Sequence, residues 1–274
     1  MSAVATAAAA GGIEVHREGR GPALVLLHGV GHHWQGWRPV IDLLAPEFEI
    51  LACDLPGFGR SRPLAPGVEP TIPAYTDALA RWMDDHGLDR PHVAGNSMGG
   101  AIALELADRG VVASATALSP AGFWTDAERR YCQLSLGLLA RLPQSLRPTV
   151  VRLARTRAGR AALFAQLYGR PARLPDDEAA SALQDAWAAP AFTGALKAFG
   201  SYRYAAPAQP SGVPVTVAWG GTDRLLPYRL QAPRARRELP RARHLTLGAG
   251  HIPFYDDPAA VAEVIRSCAR AATS

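Results

Sequence analysis

The sequence predicts an α/β protein built on a mostly parallel, doubly wound sheet. Three observations carry this reading. Short apolar runs alternate with helix-forming stretches over most of the chain, and those runs end in Gly- and Pro-rich turns. One such turn, Gly95-Asn96-Ser97-Met98-Gly99-Gly100, joins a short strand directly to an Ala/Leu-rich helix. The chain has 274 residues, 48% of them hydrophobic, which suits one large domain with an insertion and a sizeable buried core.

In order, Ile13-Glu14-Val15-His16-Arg17 alternates and reads as an early antiparallel strand, whereas Ala23-Leu24-Val25-Leu26-Leu27 is continuously apolar, as in a buried central strand. The second run ends in His28-Gly29-Val30-Gly31. The next strand, Phe48-Glu49-Ile50-Leu51-Ala52-Cys53, runs into the turn-rich loop Asp54 to Ser61. Thr71 is placed to cap a helix that continues through Met83 and stops at Gly87. Arg90-Pro91-His92-Val93-Ala94 is the strand before Ser97, and the helix after it continues through residues 101–107. Another strand covers residues 113–118.

Over residues 125–205 no run resembles a buried strand. Val150, Leu153 and Ala154, then Leu163, Phe164 and Leu167, recur at helical spacing, with prolines as punctuation, so this stretch reads as a helical insertion. The strand pattern resumes at Val213-Pro214-Val215-Thr216-Val217-Ala218-Trp219 and ends at Gly220-Gly221-Thr222-Asp223. A last strand around His244-Leu245-Thr246-Leu247 leads to Gly248-Ala249-Gly250-His251, and a closing helix, capped by Asp257, begins near Pro258. The expected organisation is a flexible N-terminal tail over residues 1–12, a core made of residues 13–124 and 206–274, and a helical cap over residues 125–205.

The Ala-rich start lacks the basic and strongly apolar regions of a secretory signal, and no stretch is long and apolar enough to span a membrane. Cys53, Cys132 and Cys268 are scattered without metal-ligand spacing, which reads as reduced thiols in a cytoplasmic protein. The net charge of +5 comes almost wholly from arginine and forms no basic stripe with interleaved aromatics, so nucleic acid is not the expected partner. Arg141, Arg147, Arg152, Arg155, Arg157, Arg160, Arg170 and Arg173 make part of the insertion strongly positive. Most are expected on solvated faces, with a field that favours carboxylate-bearing substrates.

His28-Gly29 after a buried strand, Gly-x-Ser-x-Gly, Gly-x-x-Asp and Gly-x-Gly-His, in this order, resemble the α/β-hydrolase superfamily, its serine-nucleophile branch, over nearly the whole chain outside the insertion. The resemblance implies a mostly parallel eight-stranded sheet flanked by helices, with a helical cap inserted after the sixth strand. It also implies the chain order nucleophile, acid, histidine, and an oxyanion hole from the backbone N–H groups of Val30 and Met98.

The chemistry can be argued from the residues themselves. Ser97 needs a base to take its proton as it attacks a carbonyl; His251 suits that task, and Asp223 at a strand end suits the orientation of His251. Asp126 and Glu128 are the alternative acids. His28 and Asp54 read as structural. His28, His32 and His33 lack a helical ligand spacing, so no metal is expected, and no cofactor. Trp124, His32 and Ile252 are the expected substrate-binding residues, and a small-molecule substrate is the expected partner.

Serine at position 97 disfavours the dehalogenase and epoxide hydrolase branches, which carry Asp there. The expected function is hydrolysis of carboxylic esters or related acyl compounds of small, largely apolar substrates through an acyl-Ser97 intermediate. The turn around Ser97 is also similar to that of meta-cleavage product hydrolases, so carbon–carbon bond hydrolysis is the alternative. Ile252-Pro253-Phe254 replaces the tryptophan-containing segment usual there. Lactonase, perhydrolase or acyltransferase chemistry would use the same triad, and a ligand receptor that keeps the fold without turnover is the non-enzymatic alternative.

Overall fold

The computed structural model describes residues 6–8, 12–208 and 211–272. Strands form where the apolar runs lie: β1 (Thr6–Ala8), β2 (Glu14–Glu18), β3 (Ala23–Leu27), β4 (Glu49–Cys53), β5 (His92–Asn96), β6 (Ser114–Leu118), β7 (Val215–Gly220) and β8 (Arg243–Leu247). The sheet order is β1-β2-β4-β3-β5-β6-β7-β8, with β2 antiparallel to both of its neighbours and every other pair parallel. Part of the expected N-terminal tail is therefore not loose. Thr6–Ala8 pairs with Glu14–His16, where the edge of β2 offers free backbone groups; the neighbouring residues 1–5 and 9–11 of that tail lie outside the described residues.

The period of two along β3 divides the core. Val25 and Leu27 face a cluster made with α2 (Ile72–Asp85) and α3 (Met98–Asp108), while Leu24 and Leu26 face a second cluster made with α1 (Arg38–Leu44) and α10 (Pro258–Arg270). Burial on both faces explains why β3 reads as an unbroken apolar run. Helix α1 was not anticipated in the sequence reading, although Trp37, Val40, Ile41 and Leu44, all fully buried, carry the i, i+3, i+4, i+7 spacing of a helix face. Helix α9 (Tyr228–Glu238) was also missed, because its interior Pro233 and many arginines mask a short buried face of Gln231, Ala232 and Ala235. The expected caps are present: Thr71 Oγ1 accepts from Ala74 N at 3.3 Å, and an Asp257 carboxylate oxygen accepts from Ala260 N at 3.0 Å.

Between β6 and β7 the chain forms α4 (Asp126–Ala140), α5 (Arg147–Ala154), α6 (Arg157–Leu163), α7 (Asp176–Ala188) and α8 (Phe192–Ala198), with no strand among the described residues. Thr125 starts α4 with a capping box shared with Glu128. Glu128 also takes both guanidinium nitrogens of Arg234 at 2.6 and 2.7 Å, which ties α4 to α9. Of the insertion's arginines, Arg147 lies over the Trp187 ring at 5.1 Å and Arg160 donates to the carbonyls of Ala154 and Arg155. Part of that positive charge is therefore spent on local structure. Among the described residues no helix is long and apolar enough to cross a membrane.

Candidate active site

The chain leaves β3 toward β4 on one side and β5 lies on the other, so the loops after β3 and β5 part and open a crevice at the strand ends. Ser97 sits in that crevice between β5 and α3, with φ 56° and ψ −113°, a conformation costing on the order of 1–3 kcal/mol for a residue with a Cβ. The turn closes only because both flanking glycines lack side chains: a Cβ at Gly95 would overlap the Gly99 carbonyl, and one at Gly99 would overlap the Leu27 carbonyl. Hydrogen bonds from Ser97 N to Leu118 O (2.9 Å) and from Ala121 N to Ser97 O (3.0 Å) hold the strained residue against β6.

His251 and Asp223 come together from the loops after β8 and β7. His251 Nδ1 lies 2.8 Å from Asp223 Oδ2, and both side chains are buried. The other carboxylate oxygen of Asp223 accepts from Leu225 N (3.0 Å) and Leu226 N (2.8 Å), so the carboxylate cannot rotate without losing two bonds. With Nδ1 donating to Asp223, His251 Nε2 is left as the basic nitrogen. Ser97 and His251 line one cavity of about 70 Å3.

That cavity is also lined by Val30, His32 and Ile252 of the sequence-predicted site. The insertion supplies most of its apolar walls, through Leu136, Leu139, Phe164, Leu167, Leu183 and Phe192. Trp124 is not brought to it. Its indole N–H donates to Tyr202 O at 2.9 Å and its ring packs on Phe199, so it joins the insertion to the core instead. The aromatic residues follow the same division: Phe192 faces the cavity, whereas Trp187 donates to Leu139 O and packs between insertion helices.

The alternative acids are committed elsewhere. Asp126 pairs on the surface with Arg129 and Arg203, and Glu128 serves the cap and Arg234. Asp54 accepts from Trp34 N (2.8 Å) and Arg60 N (2.9 Å), shaping the loop after β4, while burial pushes its carboxyl up. His28 donates through Nδ1 to Gly29 O (2.7 Å) and accepts at Nε2 from Leu55 N (2.9 Å), pinning the β3 loop to the β4 loop.

Burial holds His28 down to about 3 and His32 to about 4 from the ordinary 6.5, with the neighbouring histidines adding to the shift. The unfolded chain binds these two protons below pH 6.5 and the folded chain does not, so stability falls as pH drops through that window. His33, which its hydrogen bond to Asp185 raises despite burial, opposes this slope only above pH 6.5, where the folded chain takes up its proton first, and adds no further change below it. Unfolding free energy measured in urea is therefore expected to drop by about 4 kcal/mol from these two groups between pH 7.5 and pH 5. A flat profile over that range would contradict the buried, neutral state of both rings.

Two residues that the sequence reading overlooked position the histidine loop. Asn96 Nδ2 donates to His251 O (2.9 Å) and Leu118 O (3.1 Å). Asp256, buried, accepts from Gly169 N (2.7 Å), Arg170 N (2.8 Å) and Gly250 N (2.8 Å), stapling the loop that carries His251 to the segment after α6. Ile252 N adds a bond to Leu167 O at 2.9 Å. Asp256→Ala strands three backbone donors, with an expected loss of roughly 3–5 kcal/mol in urea unfolding, and Asp256→Asn, which keeps one acceptor oxygen, should lose less.

A strained serine turn, a carboxylate-oriented histidine and a doubly wound sheet define the hydrolase class to which the sequence comparisons also lead. Residues 24–264 match the Alpha/beta hydrolase family, and the chain belongs to that family. It is 34% identical over 263 residues to the pimeloyl-[acyl-carrier protein] methyl ester esterase of Xanthomonas campestris pv. campestris, covering 90% of this chain and 94% of that protein. An uncharacterized protein of Mycobacterium tuberculosis is 29% identical over 268 residues, covering 90% of this chain and 75% of that one. Among solved structures, the 2-hydroxy-6-oxo-6-phenylhexa-2,4-dienoate hydrolase of Rhodococcus sp. superposes with a TM-score of 0.73 at 22% identity, over 94% of each chain, a likeness of fold.

Proposed function

We propose that the protein is a serine hydrolase that cleaves carboxylic esters of small, largely apolar substrates through an acyl-Ser97 intermediate. The observation that carries this reading is the 2.8 Å contact between His251 and Asp223 beside a cavity that Ser97 and His251 share. Ser97 Oγ attacks the ester carbonyl while His251 Nε2 takes its proton. Asp223 stabilises the imidazolium that results, and the backbone N–H groups of Val30 and Met98 receive the oxyanion. His251 then returns the proton to the leaving alcohol. Water, activated by the same imidazole, releases the acid and restores Ser97.

Residues 125–205 act as a cap in this reading. Their leucines and phenylalanines line the space over Ser97, and the water they exclude strengthens every charge interaction inside. The space over Ser97 is narrow and its side-chain lining mostly apolar, which favours short, apolar acyl chains. The kinship to an enzyme named as a methyl ester esterase supports ester chemistry over carbon–carbon cleavage. The test is a series of p-nitrophenyl esters of graded acyl length. Activity falling steeply beyond short acyl chains supports the reading, and no turnover of any member would overturn it in favour of a non-catalytic receptor.

A further inference from the structure

His32 lies on the loop that leaves β3, two residues beyond Val30, with only 8% of its surface exposed. Its Nδ1 sits 3.1 Å from the carbonyl oxygen of His33. A carbonyl only accepts, so Nδ1 carries the ring proton and Nε2 presents a bare lone pair. Gly36 packs against the Cε1 corner of the ring between the two nitrogens, where even a Cβ would overlap it, so the ring is held in place from that side. Nε2 is out of solvent and has no hydrogen-bond partner among the described residues, while the ring lines the same cavity as Ser97 and His251.

A buried acceptor without a donor is rare in folded proteins and disfavours the empty site. The ring does not escape by taking up a proton at neutral pH, since burial and the adjacent His33 hold it near about 4. The other polar groups of the cavity have their own work. Asn96 Nδ2 is used by the carbonyls of Leu118 and His251, and Ser97 and His251 belong to the reacting pair. Apart from the Tyr168 ring, the remaining lining side chains are apolar or glycine.

We propose that His32 Nε2 is a specificity-determining acceptor that selects esters bearing a hydroxyl within a few atoms of the scissile carbonyl over esters of the same shape without one. This rests on the reading of Ser97 as the nucleophile. A site built to accept from a substrate hydroxyl rejects the analogue that lacks it, because the analogue fills the space and leaves the acceptor unpaired. An apolar pocket without such an acceptor would show the reverse order.

The experiment compares kcat/KM within three shape-matched pairs: 2-hydroxybutyrate against 2-methylbutyrate methyl ester, 3-hydroxybutyrate against 3-methylbutyrate methyl ester, and the 2-hydroxyethyl against the propyl ester of butyrate. Each ratio is measured in the wild type, in His32→Phe and in His32→Gln. Intrinsic differences in ester reactivity cancel when the wild-type ratio is divided by the variant ratio. The expected result is a wild-type preference for the hydroxylated member of one pair that is at least about tenfold larger than in His32→Phe, with His32→Gln between them because its amide oxygen still accepts. Preferences that are the same in the wild type and both variants overturn the assignment, and so does a wild type that favours the methyl or propyl member of every pair. Absence of turnover on all six esters overturns instead the reading of Ser97, which separates the two failures.

Discussion

Ser97→Ala is expected to lower kcat by at least about a thousandfold on every ester the protein turns over, because the proposed acyl intermediate forms on the Ser97 hydroxyl, which shares a cavity with His251. The neighbouring polar groups are spoken for: Asn96 holds two carbonyls, and Asp223 holds two backbone N–H groups and the imidazole. The fold should survive the change. Alanine keeps the Cβ, so the strain at φ 56° is neither added nor relieved, and the backbone bonds of residue 97 to Leu118 and Ala121 do not involve the hydroxyl. Thermal midpoints of the two proteins should therefore agree within a few degrees. A fluorophosphonate probe followed by intact-mass analysis should give one adduct on the wild type and none on the variant. Equal labelling of Ser97→Ala would place the nucleophile elsewhere and remove the basis for the acyl-enzyme reading.

The parts of the fold that were legible in the sequence are those in which local pattern and burial agree. Ala23–Leu27 is apolar throughout because it is covered on both faces, and Gly95-x-Ser97-x-Gly99 is readable because two backbone approaches demand glycine. Asp223 and His251 were legible as polar residues following strand-like runs. What escaped was what depends on distant backbone atoms. Asp256 meets Gly169 and Arg170, and Asn96 meets His251, across long stretches of chain, and a partner that is a main-chain N–H or C=O leaves no mark in residue type. Trp124 misled for the converse reason. A large ring at the end of β6 suits a pocket by position, but an indole N–H must find an acceptor when buried, and Tyr202 O offers one away from the cavity. Helix α1 carried a clear apolar period that was passed over between two turn-rich loops.

Asp223→Asn should lower kcat by about ten-thousandfold with only a modest change in KM, and the hydrogen bonds around Asp223 explain why an isosteric change would be so damaging. An asparagine has one acceptor oxygen where aspartate has two. The N–H groups of Leu225 and Leu226, at 3.0 and 2.8 Å, require that oxygen on their side, so the amide nitrogen is left facing His251 Nδ1. A donor there forces Nδ1 to accept and moves the ring proton to Nε2, where Ser97 would then meet a donor in place of a base. The negative charge that stabilises the imidazolium is lost in the same step. The side chain keeps its volume and its bonds to the turn, so the fold and the substrate cavity should persist, and KM with them. The measurement is steady-state kinetics on a short-chain ester, paired with the 15N shifts of the His251 ring, which report the tautomer directly. Asp54→Asn is the comparison, since its carboxylate holds Trp34 N and Arg60 N and faces no catalytic group. A larger loss of kcat in Asp54→Asn than in Asp223→Asn, with both proteins folded, would overturn the assignment of the acid.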